Sequence, residues 1–85
     1  MPRQTFLAEL YLPPSDGALE RTIDRARGAA TEATINQTPA RFVDAIFAPG
    51  DEICFLVFEA DSVEVVLRLG LSAGLSFARV VEAIR

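Results

Sequence analysis

The chain predicts an α+β domain ordered strand, helix, strand, strand, helix, strand. Three observations carry that prediction. Four short runs are rich in aliphatic and aromatic residues and alternate as strands do. Two stretches between them repeat apolar residues at spacings of three and four, the period of a helical face. Pro49-Gly50-Asp51 separates the two middle strand-like runs at hairpin distance.

Residues 4–12 form the first predicted strand, with Phe6, Ala8 and Leu10 on one face and Thr5, Leu7, Glu9 and Tyr11 on the other. Pro13-Pro14 ends it, because proline cannot donate to a ladder. Ser15 or Asp16 can cap the helix that follows. Leu19, Ile23, Ala26, Ala30 and Ala33 make its inner stripe, whose small residues predict close packing. Residues 34–40 are a polar connection. The second strand, 41–48, places Phe42, Asp44 and Ile46 on one face and Val43, Ala45 and Phe47 on the other. The third, 52–59, is apolar on both faces: Ile53, Phe55 and Val57 against Cys54, Leu56 and Phe58. A strand of that kind belongs in the middle of a sheet. Asp61 as N-cap, with Glu64 three residues on, predicts the second helix, and Gly74 its stop. Its inner stripe is Val63, Val66, Leu67 and Gly70. The last strand, 77–84, alternates Arg79, Val81 and Ala83 against Ala78, Val80, Glu82 and Ile84. Right-handed crossovers put both helices on one face of a four-stranded antiparallel sheet, the ferredoxin-like plan.

Composition narrows the function classes. The 85 residues hold one small domain, 1–85, with 51% hydrophobic residues. The net charge is −4, and the eight basic residues are arginines scattered along the chain. A nucleic-acid binder needs a basic face, so neither nucleic acid nor an anionic membrane surface is expected as a partner. Met1-Pro2-Arg3-Gln4 leads straight into a strand, without the pattern of a signal peptide. The longest nearly uncharged apolar stretch, 53–58, is too short to cross a bilayer. The expectation is a cytoplasmic protein with its single cysteine, Cys54, reduced.

Two helices cover one sheet face only, yet the central strands are apolar on both. Monomers rarely keep such a patch exposed. The expected remedy is a homodimer, each copy burying about 800 Å² of the open face. Glu9 and Asp44 are assigned to that face because a helix-covered core would not accommodate carboxylates. Leu7, Tyr11, Leu56 and Phe58 are assigned beside them.

Three segments, together about half the chain, resemble a known family: FLAELYLPP, FVDAIFAPGDEICFLVFEADS and AGLSFARVVEAIR. Most specific is the hairpin, where a proline-containing turn precedes Glu52, Cys54, Phe55, Phe58, Glu59 and Ala60. The chain is similar to a small bacterial family of uncharacterised proteins often labelled nickel-binding, within the dimeric α/β-barrel group of ferredoxin-like proteins. The resemblance implies a homodimer with a cavity on or near the barrel, and no defined reaction. Nickel favours imidazole ligands, and this chain has no histidine. No metal ligand and no cofactor is assigned, and a hard cation on Glu9 and Asp44 is left as an alternative.

The candidate ligand-binding residues are Leu7, Glu9, Tyr11, Asp44, Leu56, Phe58 and Arg79. Glu9 is the candidate catalytic group, since a carboxylate on an apolar floor can act as acid or base. It could instead pair with an arginine such as Arg79 on the neighbouring strand, or stand exposed at the barrel rim. Tyr11 could orient a polar ligand or sit at an interface edge. Cys54 reads as a buried structural residue, because no histidine exists to activate it. The expected function is a small-molecule-binding dimer. The alternatives are a cofactor-free isomerase, cyclase or monooxygenase using Glu9, a metal-binding protein, and an assembly subunit.

Overall fold

The computed structural model describes residues 3–85. Met1 and Pro2, part of the N-terminal lead considered above, lie outside the described residues. The elements follow the predicted order: β1 (Gln4–Tyr11), α1 (Ala18–Ile35), β2 (Ala40–Ala48), β3 (Ile53–Ala60), α2 (Val63–Ala73) and β4 (Phe77–Ala83). The sheet order is β2-β3-β1-β4, every neighbouring pair antiparallel. The apolar strands β3 and β1 are central, and the charge-bearing β2 and β4 are the edges.

The helix ends differ from the sequence expectation in instructive ways. Gly17, not Ser15 or Asp16, is the N-cap of α1, with φ 77° and no side-chain cap. Its left-handed backbone suits glycine and lets its carbonyl accept from the Arg21 N–H at 3.0 Å. The Arg21 guanidinium donates to the Asp16 carbonyl at 3.2 Å, so the entry is tied through main-chain oxygens. At the far end α1 runs two residues past Ala33. Gln37 turns left-handed at φ 69°, and the Thr38 N–H returns to the Ala33 carbonyl at 2.8 Å. This is a Schellman closure built without glycine. Thr34 then accepts from the Ala40 N–H at 3.1 Å and fastens the start of β2. In α2 the N-cap is Ser62, not Asp61; its hydroxyl accepts from the Val65 N–H at 3.4 Å. That shift moves Glu64 out of the capping-box position.

The core lies between the helices and one face of the sheet. Phe6, Ala8 and Leu10 of β1 face it, with Cys54, Leu56, Phe58 and Ala60 of β3. Thr22, Ala26, Ala29 and Ala30 form the buried stripe of α1, so Thr22 rather than Ile23 takes the inner position. From α2 come Val65, Val66 and Leu69, while Leu67, expected inside, is exposed. The Phe58 ring meets Phe42 edge-on at 5.8 Å and Phe77 at 6.2 Å.

Leu56 and Phe58 are therefore corrected from the open face to the covered one, where each is completely buried. The reason is register. β1 and β3 pair Phe6 with Phe58, Leu7 with Val57 and Ala8 with Leu56. Side chains alternate strictly along a strand, so whichever face holds Phe6 and Ala8 must hold Phe58 and Leu56. A second correction concerns β2. The register slips between Phe42 and Asp44, leaving Val43 as an extra residue. This bulge turns Phe42 into the core beside Ala45 and Phe47, while Asp44 and Ile46 keep to the open face. A like slip at Ala78 lets Phe77 face the core while Arg79 faces away.

Candidate functional site

The open face reads as a lattice of cross-strand rows. One row runs Ile46, Phe55, Glu9, Arg79 across β2, β3, β1 and β4. The next runs Asp44, Val57, Leu7, Val81. Beyond it come Arg41, Glu59, Thr5 and Ala83, and at the other end Ala48, Ile53 and Tyr11. The two middle rows are apolar except for Glu9, Arg79 and Asp44. Val57 is already buried, and Leu7, Glu9, Ile53, Phe55 and Val81 are half-buried.

Of the sequence candidates, Leu7, Glu9 and Arg79 come together. Glu9 and Arg79 stand directly opposite on adjacent strands. Among the described residues, however, the one ion pair is Arg41 with Glu59, at 3.5 Å. Both Glu9 and Arg79 therefore keep their charge open to another partner. Asp44 shares the face but sits two strands and one row from Glu9. At ~4.8 Å between strands their backbone positions are roughly 10 Å or more apart. Asp44 instead accepts from the Ala45 N–H at 2.8 Å. Among the described residues no group of three or more His, Cys, Asp or Glu side chains is placed to hold a metal ion.

Tyr11 lies at the end of the face, 66% exposed. Its hydroxyl donates to the Glu52 carboxylate. Glu52 occupies the last position of the hairpin turn with φ 55°, an uncommon conformation for a residue with a side chain. The Glu52 carbonyl accepts from the Leu12 N–H at 2.8 Å, so the turn is bound to the end of β1 by both backbone and side chain. The accepted hydrogen bond and the negative charge of Glu52 raise the Tyr11 pKa, with a smaller contribution from burial. Cys54 is wholly buried, and burial pushes its thiol pKa up. It packs in the core between the sheet and the helices.

Sequence reasoning missed Ile53, Phe55, Val57 and Val81 as the walls of the face. Grooves also lie on the helix side. One of about 200 Å³ between α1 and α2 is lined by Glu32, Arg68 and Leu69 among others, below the ~300 Å³ at which ligand pockets usually begin. A larger one, about 380 Å³, follows the α1–β2 edge, where the Arg27 guanidinium stands 5.4 Å over the Phe42 ring. Among the described residues no helix is long and apolar enough to cross a membrane.

Comparison with known proteins gives the fold a counterpart. No known family description matches the chain, and no curated protein does. Nothing in these comparisons supports the nickel-binding label. Among solved structures, SCO4226 of Streptomyces coelicolor A3(2) has a similar fold, with a TM-score of 0.70 and 18% identity. The match covers 93% of this chain and 94% of that one. Identity that low establishes shared architecture and leaves chemistry open: the chain has the α+β ferredoxin-like fold, from β1 through β4.

Proposed function

We propose that the protein acts in the cytoplasm as a homodimer whose two open sheet faces close over a small-molecule cavity. The carrying observation is the composition of the open face. Leu7, Ile53, Phe55, Val57 and Val81 form contiguous rows around Glu9. The solvated face of an antiparallel sheet normally alternates to polar residues; this one does not. At ~4.8 Å per strand and ~3.3 Å per residue, the face projects about 440 Å², and its accessible area is larger. A specific interface buries about 800 Å² per partner, so the sheet supplies much of what a dimer needs. Arg41, Glu59 and Asp44 fall at its border, as a polar rim does.

Glu9 is the polar feature of the cavity floor. It can accept hydrogen bonds from a bound hydroxyl, amide or ammonium group. The same carboxylate would be the acid–base group of an enzyme working in that cavity.

Native mass spectrometry of untagged protein tests the reading. The expected result is a dimer carrying retained small-molecule mass, with Glu9→Gln lowering that retention several-fold while the dimer persists. A monomer at micromolar concentration overturns it. A dimer that stays empty in the presence of extracted metabolites would reduce the function to assembly. A rise in Tm with nickel would reinstate the metal reading.

A further inference from the structure

We infer that the groove along the α1–β2 edge is a binding site for a small organic carboxylate with an apolar body. The groove, about 380 Å³, exceeds the ~300 Å³ at which ligand pockets usually begin. It lies on the helix side of the sheet, apart from Glu9, and stands independently of the homodimer reading.

The edge of β2 supplies the first group. On an antiparallel edge strand, alternate residues aim both backbone polar groups away from the ladder. Ala40 is one of them: its N–H donates to the Thr34 hydroxyl at 3.1 Å, and its carbonyl accepts from that hydroxyl at 2.9 Å. Arg41 then turns into the ladder opposite Glu59, and Phe42 is the next to face outward. Beyond the bulge at Val43, Ala45 faces outward too, and its N–H donates to the Asp44 carboxylate at 2.8 Å. Side chains thus close the outward amides on either side of Phe42, as they do on protected edges. Among the described residues the Phe42 N–H has no such side-chain partner, and Phe42 lines the groove.

Helix α1 supplies the rest. Arg27, Thr31 and Ile35 recur every four residues, on the stripe of the helix that borders the groove. The Arg27 guanidinium is stationed 5.4 Å over the Phe42 ring. That cation–π contact engages the flat side of the guanidinium and leaves its in-plane N–H fork to grip a carboxylate. Thr31 adds a hydroxyl. Ile35, 73% exposed, and the half-buried Phe42 offer apolar surface to the body of the ligand. Arg41 also borders the groove, but strand alternation sets its side chain on the open face, where it pairs with Glu59. The charge of the site is therefore that of Arg27. Among the described residues no carboxylate lines the groove, in a chain of net charge −4. A guanidinium, an amide N–H and a hydroxyl beside an apolar wall select an anion over a cation, and one positive charge matches a monoanion.

Titration with hexanoate, followed in the amide proton–nitrogen correlation spectrum, tests the site. The Phe42 amide proton should move downfield and saturate, and the uncharged analogue hexanamide should not move it. Arg27 and Thr31 are both exposed, so their variants should keep the circular dichroism of the fold. Arg27→Gln should weaken hexanoate binding roughly tenfold, and Thr31→Val should weaken it less. Arg27→Lys keeps the charge but loses the fork, and should recover part of the affinity. A Phe42 amide that ignores hexanoate, an equal response to hexanamide, or an affinity unchanged by Arg27→Gln overturns the site.

Discussion

The two faces of this sheet come from the same four strands and the same alternation of side chains, yet they are determined differently. On the covered face, Ala8, Cys54, Leu56, Phe58 and Ala60 are fully buried, and small residues of α1 press close to them. Their identities are dictated by packing within the chain. On the open face, Phe55, Leu7 and Val81 are equally apolar but only half-buried. Nothing within the chain explains their hydrophobicity. The contrast teaches that composition and burial within one chain can diverge, and a face more apolar than its burial is what the proposed dimer would account for.

That contrast can be broken by one pair of substitutions on β3. Phe58→Ala removes a ring that touches Phe42 and Phe77 in the core, and should cost about 3–5 kcal/mol of folding stability. In a domain this small that is a large share of the total. Phe55→Glu, three residues earlier on the opposite face, should leave the circular dichroism of the fold intact and dissociate the dimer. Light scattering and denaturant titration of the two variants separate the outcomes. If Phe55→Glu unfolds the monomer as severely as Phe58→Ala, the two faces are not functionally distinct.

A smaller effect is expected where the covered face reaches its edge. Gly70 lies on α2 over Phe77, and a Cβ there would stand 2.7 Å from two carbons of the ring. Gly70→Ala should cost ~1–3 kcal/mol through overpacking, offset in part by the better helix propensity of alanine, about 1 kcal/mol. In a Phe77→Leu background the clash is relieved, and the same substitution should turn neutral or stabilising by chemical denaturation. A full cost persisting in that background would mean that the ring does not set the approach of α2 to β4.

The fold was legible in the sequence because it rests on local signals. Alternation marked the strands, the 3–4 spacing of Leu19, Ile23, Ala26, Ala30 and Ala33 marked α1, although Thr22 rather than Ile23 takes the inner position, and Gly74 marked the end of α2. The site was legible only in part, because it rests on register, which is non-local. The clue was present. The turn 49–52 closes Ala48 on Ile53, which pairs even positions of β2 with odd positions of β3. If Asp44 lies on the open face, so must Val57 and Phe55, and Leu56 and Phe58 cannot. The bulges at Val43 and Ala78 carry no local signature. They arise where Phe42 and Phe77 are drawn into the core around Phe58 and the strand yields one residue to permit it. Gln37 and Glu52, both at positive φ, were equally invisible, since those positions usually hold glycine or asparagine.

The finest test concerns the end of the open face, at Tyr11. The chain has one tyrosine and no tryptophan, so phenolate absorbance reports this residue alone. Its pKa is raised chiefly by the hydrogen bond to Glu52, then by the Glu52 charge. The fold therefore favours the protonated phenol. The resulting stability is fully present below the ordinary value of about 10 and is lost as pH climbs through the raised value. Glu52→Gln removes the charge, so the titration midpoint should fall toward the ordinary value and the alkaline loss of stability should flatten. An unchanged midpoint would show that the Tyr11–Glu52 contact does not form in solution. Under the proposed dimer, the same titration also senses the second copy. Closure of the open face takes water from Tyr11 at its rim, and loss of water raises a phenol's pKa further. The wild-type midpoint should then climb with protein concentration across the dissociation range, and Phe55→Glu should abolish that climb while keeping the Glu52 contribution. A midpoint independent of concentration would place the dimer contact away from this end of the sheet.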